Sequence, residues 1–301
     1  MLLETPIPLG YIFSKVRRET AVVLVITIAV ESLIGLDRGY VPVVPLGVPA
    51  FLGTAISLIL SFKLNQSYDR WWEARKVWGA IVNDSRTLVR QALTLTVPRY
   101  PGGPKKLAVR LARRQIAWCY CLGQSLRGRD WREGAEPYLE AEELRELERH
   151  ANKAAALLLL HARDVADLAR EGHLSDYRRV QMDDTLSRLT DWMGMAERIK
   201  NTVFPRTYRL FLHASIYLFI TLLSISLSEV DGAWQVAITT AISVPFFLLE
   251  RTATHMQDPF QGRPTDTPVT SIARTIEINV LQQLGESGVP EPLAPDGFYL
   301  R

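Results

Sequence analysis

The 301 residues are long for one soluble domain and suffice for one membrane domain plus one helical cytoplasmic domain. Hydrophobic residues make up 48% and charged residues 22%, both ordinary fractions, so the information lies in their arrangement: the apolar residues cluster towards both ends. A net charge of +3 is too small and too dispersed an excess for a nucleic-acid partner, and it fits basic residues held at a membrane face.

In chain order, the N-terminal stretch MLLETPIPLGYIFSKVRRE shows no small-residue cleavage pattern after a short apolar core, so no cleavable signal peptide is expected. The first apolar span covers residues 20–36 and carries one acid, Glu31. The second runs from Gly47 to Phe62 and contains small residues, Ala50, Gly53 and Ser57, that let helices approach closely. Thr54, Leu58 and Phe62 recur every four residues and share one helical face. The pattern alone fits a lipid-facing or a pore-lining stripe. Asn65, Gln66 and Asp69 continue the same face beyond the apolar run, however, and such groups belong beside a water-filled path rather than lipid. The segment NQSYDRWWEARKVW, residues 65–78, separates charge from apolar surface along its length, not around its faces. That marks a membrane boundary with Trp71 and Trp72 at the interface, where an apolar ring bearing an N–H is favoured.

Residues 69–202 read as helical. A break at Pro101–Pro104 precedes KKLAVRLARRQIAWCYCLGQSL, which has apolar residues at helical spacing and basic residues opposite. Cys119 and Cys121 lie in it as helix-core thiols, since no further cysteine exists to complete a thiolate metal site. EPYLEAEELRELERHANKAAALLLLHARDVADLARE reads as one longer helical region. SDYRRVQMDDTLSRLTDWMGMAERIKNTV starts on a serine signal and is ended by Pro205. The third span is residues 210–228 and the fourth 233–250, so the spans form two hairpins, and helices of about 20 apolar residues cross a bilayer core. A polar loop, RTATHMQDPFQGRPTDTP, then leads to an amphipathic helix, VTSIARTIEINVLQQLGE, and a Pro-rich, loosely held tail. There is no strand periodicity and no internal repeat.

Charge sets the orientation. Between the paired spans the only basic residue is Arg38. The other ends carry Lys15, Arg17 and Arg18; Lys63, Arg70, Arg75 and Lys76; Arg198, Lys200, Arg206 and Arg209; and Arg251. The positive-inside rule puts both termini and the long middle segment in the cytoplasm. The expected organisation is 1–64, an N-terminal segment and two membrane helices; 65–206, a cytoplasmic helical domain; 207–251, two more membrane helices; and 252–301, a cytoplasmic loop, amphipathic helix and tail.

No catalytic constellation emerges. His150, His161, His173, His213 and His255 show no paired-ligand spacing, LGQSLRG is no nucleophile elbow, and no glycine loop cradles a phosphate. Adjacent Asp183 and Asp184 diverge by about 100° on a helix and form no carboxylate pair. The chain is not expected to be an enzyme or to carry a metal or cofactor.

NQSYDRWWEARKVWGAIVNDSR, ERIKNT with a nearby proline, LFLH, and DPFQGRPTDTP followed by ARTIEIN, in that order around four spans, resemble the bestrophin family in its bacterial branch, over about residues 5–286. The resemblance implies an all-α fold: a homopentamer with four membrane helices per subunit, a large helical cytoplasmic domain and one central pore. It implies an ion channel of the bacterial inner membrane, with lipid, small inorganic ions and other copies of the chain as partners. Animal members conduct chloride and open with calcium, and bacterial members need not share either property. Selectivity between anion and cation does not follow from the chain. By position, the family's neck falls at Thr54, Leu58 and Phe62, with Thr54 a departure from the bulky apolar pattern, and a second, cytoplasmic constriction falls near Leu174. Asn65, Gln66, Asp69, Arg70, Trp71 and Trp72 fall at the pore-helix exit, where they brace the helix. The calcium clasp of animal members corresponds to Asp258, Pro259, Phe260 and Asp266, but Arg263 stands where an acid is expected, so no tight calcium site is expected and Asp258 is read as capping a turn. The rival readings are a membrane-anchored scaffold or sensor, and a small-solute transporter, against which the lack of repeats counts.

Overall fold

The protein is described here from a computed structural model covering residues 8–36, 42–96, 103–203 and 205–300. Arg38, and Pro101 of the expected break, lie outside the described residues. Nine α-helices are present among the described residues: α1 Leu9–Leu36, α2 Gly47–Thr94, α3 Gly103–Arg127, α4 Ala141–Glu148, α5 Lys153–Arg170, α6 Asp176–Asn201, α7 Arg206–Ser226, α8 Gly232–Gln257 and α9 Val269–Leu284. The only β-type pairing among the described residues is an isolated bridge between Asp296 and Tyr299. The chain divides into two compact units, one made of Thr5–Arg70 and Val203–Gln257, the other chiefly of Trp71–Thr202 and Asp258–Arg301. Helix α2 is continuous across the division at 70/71, because nothing between Ala50 and Thr94 removes a backbone N–H.

The first unit holds the apolar helices. Stretches of α1, α2, α7 and α8 are long and apolar enough to cross a membrane. They bury Val23, Ile56, Leu60, Ile216, Phe219 and Phe247 against one another. Yet Val25, Leu33, Phe211 and Trp234 remain largely exposed, an apolar exterior that a water-soluble surface does not present. Gly53 is small for a reason: a Cβ there would meet the Phe219 ring at 3.0 Å. The acid of the first span, Glu31, sits against Gly232 at the start of α8, where the positive end of the helix dipole favours a carboxylate.

The second unit is built around α3, which packs against α5, α6 and α9. Trp78 and Trp118 are fully buried in its core, and the Trp118 indole N–H donates to Ala154 O at 3.1 Å. The long helical region expected over residues 136–171 is two helices. The chain turns between α4 and α5, and Asn152 caps the second, its side-chain oxygen accepting from the Ala155 N–H at 3.0 Å; an asparagine at this position satisfies an N–H that the helix itself cannot. Ser175 precedes α6 as expected but makes no side-chain capping bond. Both cysteines of α3 are buried, and burial pushes each thiol up to about 12, which leaves them unreactive at neutral pH.

His161 of α5 is fully buried, and neither ring nitrogen finds a hydrogen-bond partner among the described residues. Nearby, buried Arg114 donates to Glu143 and, at 2.6 Å, to Asp164. Burial first, then the charge of Arg114, holds the imidazole well below its usual range, so the folded protein keeps it neutral. The unfolded chain takes up this proton as pH falls through about 6.5, and the folded chain does not. Stability is therefore complete above that pH and declines below it, by up to about 1.4 kcal/mol per pH unit. Substituting His161→Leu is expected to flatten the fall in thermal midpoint between about pH 6.5 and 5, measured by scanning fluorimetry. An unchanged slope would assign the acid sensitivity to other groups.

Candidate functional site

The face of α2 singled out above is the one its own chain leaves uncovered. Leu58 and Phe62 are each 59% exposed, and Thr54, Asn65, Gln66 and Asp69 are exposed along the same side. Gly53, Ile56, Leu60, Lys63 and Ser67, at spacings of three and four on the other side, are buried. Phe51, 77% exposed, extends the uncovered stripe by a turn. Sequence reading passed over it, although the 51–54–58–62 spacing already contained the signal. The Thr54 hydroxyl donates to Ala50 O at 2.9 Å, so its proton is occupied within the helix.

Lys63 behaves unlike a flanking lysine. It is 1% exposed, and its ammonium donates to Glu250 Oε1 at 2.8 Å and to the Thr254 hydroxyl at 3.1 Å. His213 Nε2 lies 3.2 Å from the second Glu250 oxygen, and Arg209 Nε lies 3.7 Å from the first. A buried ion pair thus ties α2 to α8, with α7 completing it. The signal in the sequence was the position of Lys63 on the Ile56–Leu60–Ser67 face, which counting basic residues as membrane flanks ignored.

Beyond the division the exit segment is also tied down. The Trp71 indole N–H donates to Thr265 O at 3.0 Å, and the Trp71 and Trp72 rings stack with centroids 6.2 Å apart. Trp71 is therefore joined to the loop between α8 and α9, a link between two motifs that the sequence presents separately. Trp72 remains 45% exposed.

In that loop Phe260 is buried and the Thr267 N–H closes onto Pro259 O at 3.1 Å. The turn-holding role expected of Asp258 falls to Asp266, whose Oδ2 accepts from the backbone N–H groups of Gln261 at 2.7 Å and Arg263 at 3.0 Å. Burial raises the Asp266 carboxyl above its usual range, with the Arg263 and Gln261 N–H groups working the other way. This carboxylate faces its own loop backbone.

Leu174 does not present its side chain to an opening in this chain: it is 3% exposed, in the core of the second unit, because its backbone N–H turns back to Leu168 O after α5. The apolar side chains exposed nearby are Tyr177 and Val180 of α6. Other motif residues prove architectural. Arg86 holds Asn279 of ARTIEIN at 2.6 and 2.9 Å, Glu277 accepts from the Tyr120 and Tyr138 hydroxyls, and Asp84 accepts from the Trp192 indole at 2.7 Å.

Comparison with known proteins agrees with this architecture. The bacterial/fungal bestrophin family profile matches residues 2–282. The voltage-dependent anion channel-forming protein YneE of Escherichia coli is 34% identical over 252 residues, covering 83% of this chain and 80% of that protein. A voltage-dependent anion channel-forming protein of Mesorhizobium japonicum is 31% identical over 280 residues, covering 93% and 87%. The crystal structure of a bacterial bestrophin homologue from Klebsiella pneumoniae superposes with a TM-score of 0.81 at 27% identity, covering 90% of this chain and 99% of that one. The profile match over nearly the whole chain and the relatives more than 30% identical to it show that the chain belongs to the bacterial/fungal bestrophin family.

Proposed function

We propose that five copies of the chain surround a common axis and conduct small inorganic ions across the bacterial inner membrane, with anions as the permeant class. The observation that carries this is the uncovered stripe of α2, an apolar and then polar face on a helix whose opposite side is buried. Five such helices convert each residue into a ring. Thr54, Leu58 and Phe62 make the neck, and a ring of leucines or phenylalanines gates by shedding water from a narrow gap. Asn65, Gln66 and Asp69 then receive the ion into a wetted path, with Arg70, Trp71 and Trp72 bracing the helix behind it. The anion assignment draws on the names of the relatives and on the positive edges of the phenylalanine rings. Both termini and the second unit lie in the cytoplasm, from the basic flanks. Asp266 holds its own loop and Arg263 stands beside it, which supports channel opening without a calcium site there.

Reconstitution in liposomes under a chloride gradient tests this, with native mass measurement of the assembly. Expected are five subunits, flux that depends on the protein, and a reversal potential tracking chloride. A reversal potential tracking the cation would overturn the anion assignment, and intact pentamers without flux would favour a scaffold.

A further inference from the structure

Within the first unit, α1, α7 and α8 enclose an open cavity of about 690 Å³ that the conduction reading does not use. Its walls carry Arg18, Arg209 and Arg251 against a single carboxylate, Glu19. Arg251 is paired with Glu19 at 2.5 Å. Glu250, 3.7 Å from Arg209, is already matched by Lys63. Arg18 makes no ion pair among the described residues, and both Arg18 and Arg209 are exposed. The cavity therefore holds uncompensated positive charge. Glu19 is only 8% exposed, and its Oε2 is buried without accepting a hydrogen bond among the described residues. The apolar edge is supplied by Val22, one turn along α1 from Arg18, and by Leu210, beside Arg209.

We infer that this cavity binds the headgroup of an anionic phospholipid such as phosphatidylglycerol. The phosphodiester oxygens meet the Arg18 and Arg209 guanidinium groups, which present planar pairs of donors. An acyl chain runs along Val22 and Leu210. Basic pockets between membrane helices recognise lipid headgroups by this combination of charge and apolar edge. A free phosphate satisfies the arginines but leaves the apolar edge uncovered.

Native mass spectrometry of the detergent-solubilised full-length assembly tests the site, titrating phosphatidylglycerol, phosphatidylcholine and inorganic phosphate separately. Phosphatidylglycerol is expected to bind most tightly, and the double variant Arg18→Gln/Arg209→Gln to weaken it by about tenfold or more, as loss of charge-assisted hydrogen bonds implies. Arg17→Gln removes the same charge from the neighbouring exposed position outside the cavity and is expected to leave binding unchanged. All three side chains are exposed in the single chain, so the variants are expected to fold, and size-exclusion chromatography checks that they assemble. Equal binding by wild type and the double variant overturns the assignment, as does equal binding of phosphatidylcholine. If inorganic phosphate alone binds as well as the lipid, the occupant is a free anion and the lipid reading falls.

Discussion

Replacing Leu58 by alanine is expected to raise single-channel conductance or open probability several-fold in planar bilayers. In a fivefold assembly the change removes an isobutyl group from every position of one ring, and a wider ring stays hydrated for longer. Thr54→Ala is expected to do much less, since that position already carries a hydroxyl that tolerates water. The contrast between the two variants is the informative quantity, because both are exposed positions on the same helix face, four residues apart. Were the face turned to a neighbouring helix instead, Leu58→Ala would cost about 2–5 kcal/mol of stability as a cavity-forming truncation and leave the current per intact channel unchanged. Equal currents in wild type and both variants, in pentamers of verified mass, would remove Leu58 from the conduction path.

The largest loss of stability is expected at Glu250. Lys63 and Glu250 are both buried, and truncating one partner of such a pair leaves an uncompensated charge in a medium that cannot solvate it, at a cost of about 3–5 kcal/mol. The two directions are unequal. Without Lys63, Glu250 still has His213 at 3.2 Å and Arg209 at 3.7 Å. Without Glu250, Lys63 keeps only the Thr254 hydroxyl among the described residues. Glu250→Gln is therefore expected to lower the thermal midpoint more than Lys63→Met. The double variant is expected to recover much of the loss, since replacing both charges by neutral groups removes the desolvation cost as well as the attraction. Strictly additive losses across this cycle, measured in detergent, would show that the two residues do not act as a pair.

Much of the fold was legible because its strongest signal is lengthwise. Apolar runs of bilayer length bounded by charge need no knowledge of tertiary contacts, and α1, α2, α7 and α8 follow from them. The α2 stripe was equally plain, because a four-residue recurrence is a property of one helix. What escaped depended on partners distant in sequence. Lys63 reads as a membrane flank until Glu250, 187 residues away, is brought beside it. Trp71 reads as an interface anchor until Thr265 accepts its N–H. The division between α4 and α5 was missed for a local reason: Asn152 was counted as one polar residue in a helical run when its side chain was a start signal. Leu174 was placed through the family resemblance, which fixes a position along the chain but not the direction of a side chain, and here the side chain turns into the core.

The unbroken α2 has a mechanical consequence. Its 48 residues make a rod about 72 Å long at 1.5 Å per residue, and no proline follows its first turn. From Trp71 to Thr94 the helix belongs to the second unit, and the tryptophan pair stands at the start of that stretch. An unbroken helix turns as one piece over neighbouring turns, as a handle turns its shaft, so the bearing of Trp71 sets that of Ala74, Val77 and Trp78 in the core beside it. The Thr265 carbonyl grips that handle through the Trp71 N–H, so the seating of these core side chains is geared to a loop 194 residues along the chain.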